Sequence, residues 1–376
     1  MILPPAMLGM LGGGQLARFF VIAAHEMGYR VTVLDPDHNS PAGRIADGHL
    51  CAAYDDSQAL EKMAQTCVAV TTEFENVPAS TLTTLAKRVR VYPAASAVAI
   101  CQHRVSEKNF LREHGFPHAP YAEINTESDI PATDSSLYPA ILKVARFGYD
   151  GKGQARVTNP EEALAAFHQF KSEQCVLEQM LTLDYEVSVV LARDAEGQIA
   201  AFPTSENIHR NGILDISIVP ARGSIEDRDE AQLLARAVAE KLDFVGTLGV
   251  EIFVSGGQLY VNEMAPRPHN SGHYTLDACI TNQFEQQIRA LCGLPLGDAR
   301  LHSNAVMVNL LGDVWPEGQA PDWSVLFEQT NLKLHLYGKH EARPGRKMGH
   351  FTVVGDDADT VLQHALAVRK RIKVEG

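Results

Sequence analysis

The chain has 376 residues, of which 45% are hydrophobic and 21% are charged, and its formal net charge is -13 at pH 7. This length predicts two or three domains of roughly 100 to 200 residues each, and the composition excludes a disordered protein. The acidic balance argues against a general nucleic-acid-binding protein, because phosphate contacts require a basic face.

The apolar segments and the cysteines exclude further classes of protein. Every apolar stretch is shorter than the ~20 residues that span a membrane, and the segment from Ile2 to Leu11 lacks the basic flank and cleavage site of a signal peptide. The cysteines are scattered without a C-x-x-C pair, which favours reduced thiols over disulfides or a zinc site. We therefore expect a cytoplasmic protein that binds neither a membrane nor nucleic acid.

The N-terminal segment has the pattern of a βαβ unit. It predicts a strand at 7–11, a glycine turn at 12–14, a helix at 15–27 and a strand at 30–34. Such a unit belongs to a parallel sheet with right-handed crossovers. The segment Gly12-x-Gly14-x-x-Ala17, with Asp35 after it, also matches the dinucleotide-binding fingerprint. The phosphate at such a loop can belong to NAD or to a nucleotide substrate, so both interpretations stay open.

A further strand is predicted at 68–72, and Glu73 follows it directly. Ligands of such sheets bind beyond the carboxyl ends of the strands, so Glu73 is a candidate substrate contact in the same crevice as the glycine turn. Glu75 and Asn76 can equally cap a helix that begins at Pro78, which is a purely structural role.

A lysine on an apolar strand comes next. The strand at 139–143 ends in Lys143, and the glycine-rich segment from Gly148 to Gln154 follows it. Backbone amides of such a hairpin, together with Lys152, can cover a polyphosphate. The pattern is not a Walker A loop. A flexible surface hairpin would explain the glycines but not the strand that carries the lysine.

Two acidic strands then form a predicted hairpin around Gly256-Gly257. The first carries Glu251 and the second carries Asn262 and Glu263. Buried carboxylates require a partner or a metal ion, and oxygen ligands favour magnesium over zinc. The alternative is a sheet with one wet face, on which both carboxylates meet only water.

The register of this hairpin decides whether one metal can use both glutamates. A simple two-residue turn would place Glu251 opposite Asn262 and turn Glu263 to the other face. A shared metal therefore requires an odd-length connection or a β-bulge. In that arrangement we expect Phe253 to lie opposite Val261.

Taken in order, these features resemble the ATP-grasp superfamily. The shared features are a strand lysine, a glycine lid, a Glu-Gln hinge at 178–179, a ribose-binding Glu186, and paired carboxylates before an Asn-Ser-Gly turn. Within the superfamily the chain resembles the 5-(carboxyamino)imidazole ribonucleotide synthetases of purine biosynthesis over nearly its whole length. The motifs that carry this second resemblance are Gly12-Gly13-Gly14-Gln15-Leu16, Phe74-Glu75-Asn76-Val77, the lid at 148–154, Asn207-Ile208-His209, Pro266-Arg267-Pro268-His269-Asn270-Ser271-Gly272-His273 and Arg343-Pro344-Gly345-Arg346-Lys347-Met348-Gly349-His350. The last two are the most specific.

The resemblance implies an α/β and α+β protein, in which an ATP-grasp fold follows a Rossmann-like parallel-sheet domain and precedes a small C-terminal domain. With the Pro and Gly punctuation at 92–95 and 293–297, we expect domains at 1–95, at 96–297 with a lid at about 120–180, and at 298–376. The last should pack on the first. A homodimer is implied by the resemblance alone.

The resemblance also implies roles for individual residues, with ATP and Mg²⁺ as cofactors. For ATP these are Arg104, Lys143, the lid residues Gly148, Tyr149, Asp150, Gly151, Lys152, Gly153 and Gln154, the hinge residues Glu178, Gln179, Met180 and Leu181, and then Glu186, His209, Asn262 and Glu263. Glu251 and Glu263 would hold magnesium. Arg267, His269 and Asn270 would lie at the bicarbonate and, together with Lys347, would be the catalytic residues. The residues at the ribonucleotide would be Gly14, Gln15, Leu16, Glu73, Tyr149, Asp150, Arg343, Arg346 and Lys347.

The implied reaction forms carboxyphosphate from bicarbonate and ATP, and the amine of aminoimidazole ribonucleotide then captures the carboxyl unit. Catalysis of this kind rests on positioning and charge and needs no protein nucleophile. Three alternatives stay open: another ATP-grasp ligase with a different acceptor, an NAD-dependent oxidoreductase, and a catalytically silent ATP-binding scaffold.

Overall fold

The computed structural model describes residues 1–146, 148, 152–315 and 319–372. In this part of the chain the strands form three β-sheets. The α-helices are α1 (Gln15–Glu26), α2 (Ser57–Thr66), α3 (Ala79–Ala86), α4 (Ala95–Cys101), α5 (Arg104–Glu113), α6 (Pro160–Gln169), α7 (Ile225–Lys241), α8 (Thr275–Ala278), α9 (Gln283–Cys292), α10 (Ser324–Phe327) and α11 (Ala358–Ile372).

The first sheet is parallel and lies in the N-terminal segment. Its strands are β1 (Met7–Leu11), β2 (Arg30–Leu34), β3 (Gly48–Leu50), β4 (Ala69–Thr72) and β5 (Arg90–Val91), in the order β3-β2-β1-β4-β5. Strand β1 pairs in parallel with both β2 and β4, which confirms the predicted βαβ unit. The carboxyl ends of β1 and β4 therefore bring the glycine turn and Glu73 to one edge of the sheet.

The second sheet carries the lid. Its strands are β6 (Tyr121–Ile124), β7 (Ala140–Val144), β8 (Gln154–Val157) and β9 (Cys175–Gln179), in the order β6-β9-β7-β8, all antiparallel. Lys143 lies near the end of β7 as predicted, and β8 begins at Gln154. Helix α6 packs on one face of this sheet through Ala163, Ala166 and Phe167.

The third sheet is antiparallel and continues into the C-terminal segment. Its strands are β10 (Tyr185–Arg193), β11 (Ile199–Ala201), β12 (Ser205–Arg210), β13 (Ile213–Val219), β14 (Gly246–Ser255), β15 (Gln258–Ala265), β16 (Asn304–Leu311), β17 (Leu332–Leu336) and β18 (Lys347–Gly355). Their order is β15-β14-β10-β12-β13-β16-β18-β17, with β11 on β10. Because β16 pairs with β13, the C-terminal strands extend the central sheet, which the sequence did not indicate.

The hairpin β14–β15 contains the predicted β-bulge. Gly256 and Gly257 have φ of 58° and 72°, as in a type I′ turn, so the connection has two residues. The register shifts between Glu251 and Ile252, and Glu251 lies opposite Glu263. The expected pair of Phe253 and Val261 is wrong: Phe253 pairs with Tyr260, because the bulge lies at Asn262 and not in the turn.

Candidate active site

The two glutamates of the bulged hairpin face the same side of the sheet. Directly opposed residues of an antiparallel pair share a face, so Glu251 and Glu263 can serve one ligand. Asn262 Nδ2 donates to Glu251 Oε2 at 3.4 Å, and His269 Nε2 lies 3.3 Å from Glu251 Oε1. Burial alone would raise the pKa of Glu251, but His269, His209 and Lys347 lower it to about 2. Glu251 is therefore ionised at neutral pH.

Arg104 connects the paired carboxylates to the lid. Its Nη1 lies 3.4 Å from Glu263 Oε2, and its Nη2 donates to the carbonyl of Gly148 at 3.3 Å. Helix α5 begins at Arg104, so the start of this helix fixes the guanidinium between the two groups. Gly153 accepts from Val144 N at 2.9 Å and Gln154 pairs with Lys143, which ties the end of the lid to β7. The predicted Tyr149, Asp150 and Gly151 lie outside the described residues.

A buried group of two lysines and one glutamate lies where β7, β9 and α5 meet. Lys143 Nζ donates to Glu178 Oε2 at 2.9 Å, and Lys108 Nζ lies 3.4 Å from the same oxygen. Burial alone would raise the pKa of Glu178, but the two lysines lower it to about 2. Glu178 Oε1 is buried and has no hydrogen-bond partner among the described residues. This oxygen is therefore open to a donor from a ligand, as a nucleotide base would supply.

The hinge residues after Glu178 connect two sheets. Strand β9 ends at Gln179, whose Nε2 donates to the carbonyl of Ser136 at 2.8 Å. Met180 N donates to the carbonyl of Pro139 at 2.9 Å, and Met180 and Leu181 lead into β10 of the large sheet. The hinge therefore stands between the lid and the strands that carry the glutamates.

Glu186 and His209 form an ion pair across β10 and β12. His209 Nδ1 lies 2.8 Å from Glu186 Oε2. Burial lowers the pKa of His209, but the hydrogen bond that its ring donates to Glu186 and the charge of Glu251 raise it overall. The two side chains that the sequence assigned to the nucleotide thus hold each other in place.

The N-terminus of α1 is already filled by a carboxylate. Glu73 accepts from Gly14 N and from Ala17 N, the latter at 2.9 Å, and Asp35 Oδ2 accepts from Gly13 N at 2.8 Å. In a dinucleotide fold a pyrophosphate occupies this position and the acidic residue binds a ribose. Because carboxylates occupy this position, it does not offer NAD a pyrophosphate site, and the substrate contacts expected at Gly14 and Glu73 remain predictions.

Gln15 and Leu16 open this helix, and their positions differ. Leu16 is buried in the apolar cluster of the first sheet, so its side chain contributes to the core and not to the predicted substrate surface. Gln15 is half-buried beside Gly14 at the edge of the sheet.

The turn after β15 carries a second set of polar groups. Arg267 Nε donates to Glu75 Oε2 at 2.7 Å, so Glu75 is a partner of the turn. The capping alternative for Glu75 and Asn76 is wrong, because Pro78 is the N-cap of α3 and no side chain caps it. Asn270 is 7% exposed, and neither atom of its amide group has a partner among the described residues. A small polar ligand would satisfy both atoms.

The basic turn before β18 is divided between two environments. Arg346 Nη1 donates to the carbonyl of Glu341 at 2.9 Å, and Arg343 Nε lies 3.7 Å from the carboxylate of Glu341. Lys347 instead acts on the central site, since its charge helps to lower the pKa of Glu251. A charge of the C-terminal segment therefore acts on Glu251, one of the two paired carboxylates.

Family models match three consecutive parts of the chain. Residues 6–102 match the ribonucleotide synthetase preATP-grasp domain, 109–284 the ATP-grasp domain, and 305–364 the phosphoribosylaminoimidazole carboxylase C-terminal domain. The N5-carboxyaminoimidazole ribonucleotide synthase of Bacillus subtilis (strain 168) is 42% identical over 368 residues, 96% of this chain and 95% of the relative. That of Brucella melitensis is 44% identical over 353 residues, 93% of this chain and 96% of the relative.

The chain belongs to the N5-carboxyaminoimidazole ribonucleotide synthase family.

Solved structures of the family have the same fold. An ADP complex of N5-carboxyaminoimidazole ribonucleotide synthetase superposes with a TM-score of 0.91 at 40% identity, covering 100% of this chain and 99% of that one. The Aspergillus clavatus enzyme in complex with ADP and 5-aminoimidazole ribonucleotide has a TM-score of 0.88 at 32% identity, covering 98% and 99%. The protein is therefore an ATP-dependent ligase with an ATP-grasp fold, as the resemblance implied.

Sequence reasoning missed two residues of this family site, Glu107 and Lys108. Both are buried, although charged residues are rarely buried without a role. A signal was available, because Arg104, Glu107, Lys108 and Leu111 have the i, i+3, i+4, i+7 spacing of one helix face.

Proposed function

We propose that this protein carboxylates 5-aminoimidazole ribonucleotide with bicarbonate in an ATP-dependent reaction. The products are 5-(carboxyamino)imidazole ribonucleotide, ADP and phosphate, and carboxyphosphate is the intermediate. The observation that carries the proposal is the pair of Glu251 and Glu263, which lie opposite each other on one face of the hairpin. Lys143 and Arg104 lie toward the lid, and Arg267 and Asn270 lie beyond the end of the strand.

The paired carboxylates fit a magnesium ion. Glu251 is ionised, Glu263 shares its face, and both offer the hard oxygen ligands that magnesium prefers. A bound Mg²⁺ would neutralise charge on the β- and γ-phosphates of ATP.

The chain's own cations are placed to orient the anionic reactants. Lys143 and Arg104 lie beside the lid, where they would hold ATP phosphates in line with an attacking oxygen. The unpaired amide of Asn270 and the guanidinium of Arg267 offer hydrogen bonds to bicarbonate. Lys347 and the lid would then enclose carboxyphosphate and exclude water, which matters because carboxyphosphate hydrolyses readily.

ADP formation tests the proposal directly. With ATP and Mg²⁺, we expect rapid ADP release only when bicarbonate and 5-aminoimidazole ribonucleotide are both present. Formate in place of bicarbonate separates this reaction from other ATP-grasp ligases, and ADP release that required formate would contradict the assignment. Failure to release ADP with any acceptor would favour the silent scaffold.

Assembly and location belong to the same proposal. Family resemblance supports a homodimer, which sedimentation velocity would test. The described helices are all too short or too polar to cross a membrane. A cytoplasmic protein with domains at 1–95, 96–297 and 298–376 agrees with the reaction, whose substrates are polar anions.

A further inference from the structure

Two adjacent charged residues of α5 hold the backbone on both sides of Glu263. Met264 N donates to Glu107 Oε1 at 2.6 Å, and Lys108 Nζ donates to the carbonyl of Asn262 at 3.2 Å. Each of these side chains is only 1% exposed. The contacted backbone groups belong to the residue before Glu263 and to the residue after it.

These contacts lie at a part of β15 where hydrogen bonding within the sheet is incomplete. Strand β15 is an edge strand, so backbone groups on its outer side have no neighbouring strand. The β-bulge at Asn262 interrupts the ladder on its inner side as well. Val261 N donates to the carbonyl of Pro117 at 2.8 Å, so the chain after α5 continues the same line of contacts.

The register of this strand decides where Glu263 points. A shift by one residue turns every side chain of a strand to the other face. Glu251 would then lose the carboxylate opposite to it. Burying two ionisable side chains costs free energy unless they are well paired, so a specific task is a better explanation than general stability.

We propose that Glu107 and Lys108 are positioning residues that fix the bulged register of β15 and so keep Glu263 opposite Glu251. Lys108 has a second contact with Glu178, and it thereby connects the hinge to the same strand. The inference rests on the proposed function in one respect, the binding of a divalent cation by the two glutamates.

Three variants test the backbone contact of Glu107. Burial and the nearby charge of Glu263 raise the pKa of Glu107 to about 8. At neutral pH Glu107→Gln therefore keeps both a neutral side chain and an oxygen that accepts from Met264 N, whereas Glu107→Leu removes the acceptor. Glu113→Leu is the matched control, since Glu113 lies on the same helix and is exposed. The first measurement is Mn²⁺ binding in the presence of ADP, followed by electron paramagnetic resonance. The second is hydrogen exchange of the segment 258–265 without nucleotide or metal.

We expect Glu107→Leu to weaken Mn²⁺ binding by about tenfold or more, because a buried backbone amide loses its acceptor. Exchange in 258–265 should accelerate by a similar factor. Glu107→Gln should stay within about threefold of the unsubstituted protein in both measurements, and Glu113→Leu should be unchanged.

Equal weakening by Glu107→Gln and Glu107→Leu would overturn the inference, because Glu107→Gln keeps the acceptor for Met264 N and the backbone contact would then not be what matters. Unchanged exchange in a folded Glu107→Leu protein would overturn it too. If Glu107→Leu does not fold, Glu107→Gln still decides, since tenfold weaker Mn²⁺ binding by that variant contradicts the inference. If the unsubstituted protein binds no Mn²⁺ in the presence of ADP, the proposed metal site is wrong. Hydrogen exchange of the segment 258–265 would then still test whether Glu107 holds the strand.

Discussion

At the scale of single residues, the site depends on charges that are buried together. The resemblance implied that Lys143, as the strand lysine, and Glu178, in the hinge, both bind ATP. The structure pairs them at 2.9 Å, with Lys108 on the same oxygen. We therefore expect a mutation of Lys143 to affect both ATP binding and stability.

We expect Lys143→Ala to raise the apparent KM for ATP by roughly tenfold to a hundredfold, as loss of a hydrogen bond to a charged group does. It should also lower the free energy of unfolding, by less than the ~3 to 5 kcal/mol that an uncompensated buried charge costs, because Lys108 remains. Urea denaturation and steady-state kinetics measure the two effects. The double variant Lys143→Ala/Glu178→Gln should recover stability but not ATP affinity. An unchanged KM would remove Lys143 from the ATP site.

The basic turn permits a test of the acceptor end. Lys347→Ala should raise the KM for the ribonucleotide about tenfold and that for ATP by less than about threefold. Arg346→Ala should act in the same direction but less strongly, because Arg346 also bonds to the carbonyl of Glu341. Lys370→Ala, an exposed lysine on α11, is the control. Equal effects on both substrates would make the turn structural.

At the scale of elements, the register of the hairpin β14–β15 depends both on its Gly256-Gly257 turn and on the contacts from α5. Gly256 and Gly257 both have positive φ, and a Cβ added at either glycine would meet no atom within 4 Å. Any loss of stability on substitution there therefore comes from backbone strain and not from a clash.

Gly257→Val should lower the free energy of unfolding by about 1 to 2 kcal/mol, the cost of a left-handed conformation for a residue with a Cβ. Gly257→Asn should cost less, because asparagine tolerates this region. Chemical denaturation of the two variants measures the difference. Equal stability of the valine variant and the unsubstituted protein would show that the turn can change type.

Elements with a local signal could be predicted from the sequence, and elements defined by distant contacts could not. The unit β1-α1-β2 follows from hydrophobic periodicity and a glycine turn. The bulge could be named as a possibility, but its position at Asn262 depends on contacts from α5. The position of β16 in the large sheet could not be predicted, because this strand is buried on both faces and its apolar run specifies no partner.

For the site, residue types and spacing predicted the paired glutamates and the strand lysine. They did not predict the ion pair of Glu75 with Arg267, which joins segments far apart in the sequence. The family resemblance implied a substrate contact at Leu16; its side chain lies in the core, and a contact through its backbone remains a prediction. Contacts between segments that are far apart in the sequence form when those segments pack together. A single sequence gives little information about them.

At the scale of the whole molecule, three imidazoles stack where the N-terminal, central and C-terminal segments meet. The ring centroids of His273 and His350 are 4.7 Å apart, and those of His335 and His350 are 4.6 Å apart. Phe19 of α1 contacts all three rings. His335 pairs with Asp277 at 2.8 Å, and Tyr337 Oη lies 2.9 Å from His350 Nδ1.

This stack predicts loss of stability in mild acid. Burial, and then the neighbouring imidazoles, lower the pKa of His273 and of His350 well below the ordinary 6.5. Below about pH 6.5 the unfolded chain takes up protons that the folded chain does not. The free energy of unfolding therefore decreases as the pH is lowered. The slope approaches ~1.4 kcal/mol per pH unit for each proton.

Unfolding by urea between pH 7.5 and 5.5 measures the slope. His350→Gln should make it shallower, and His38→Asn, at an exposed histidine, should leave it unchanged. A slope that His350→Gln does not alter would show that other groups cause the acid sensitivity.

The continuous sheet from β10 to β18 also bears on how the family can vary. A domain that is joined to the rest of a protein by a flexible linker can be replaced by the corresponding domain of a relative. Here the edge of β13 is covered by β16, and removal of the C-terminal strands would expose that edge to pairing with other chains. The central and C-terminal strands therefore form one sheet, and we expect a chimera of two relatives to fold only when its junction lies outside that sheet.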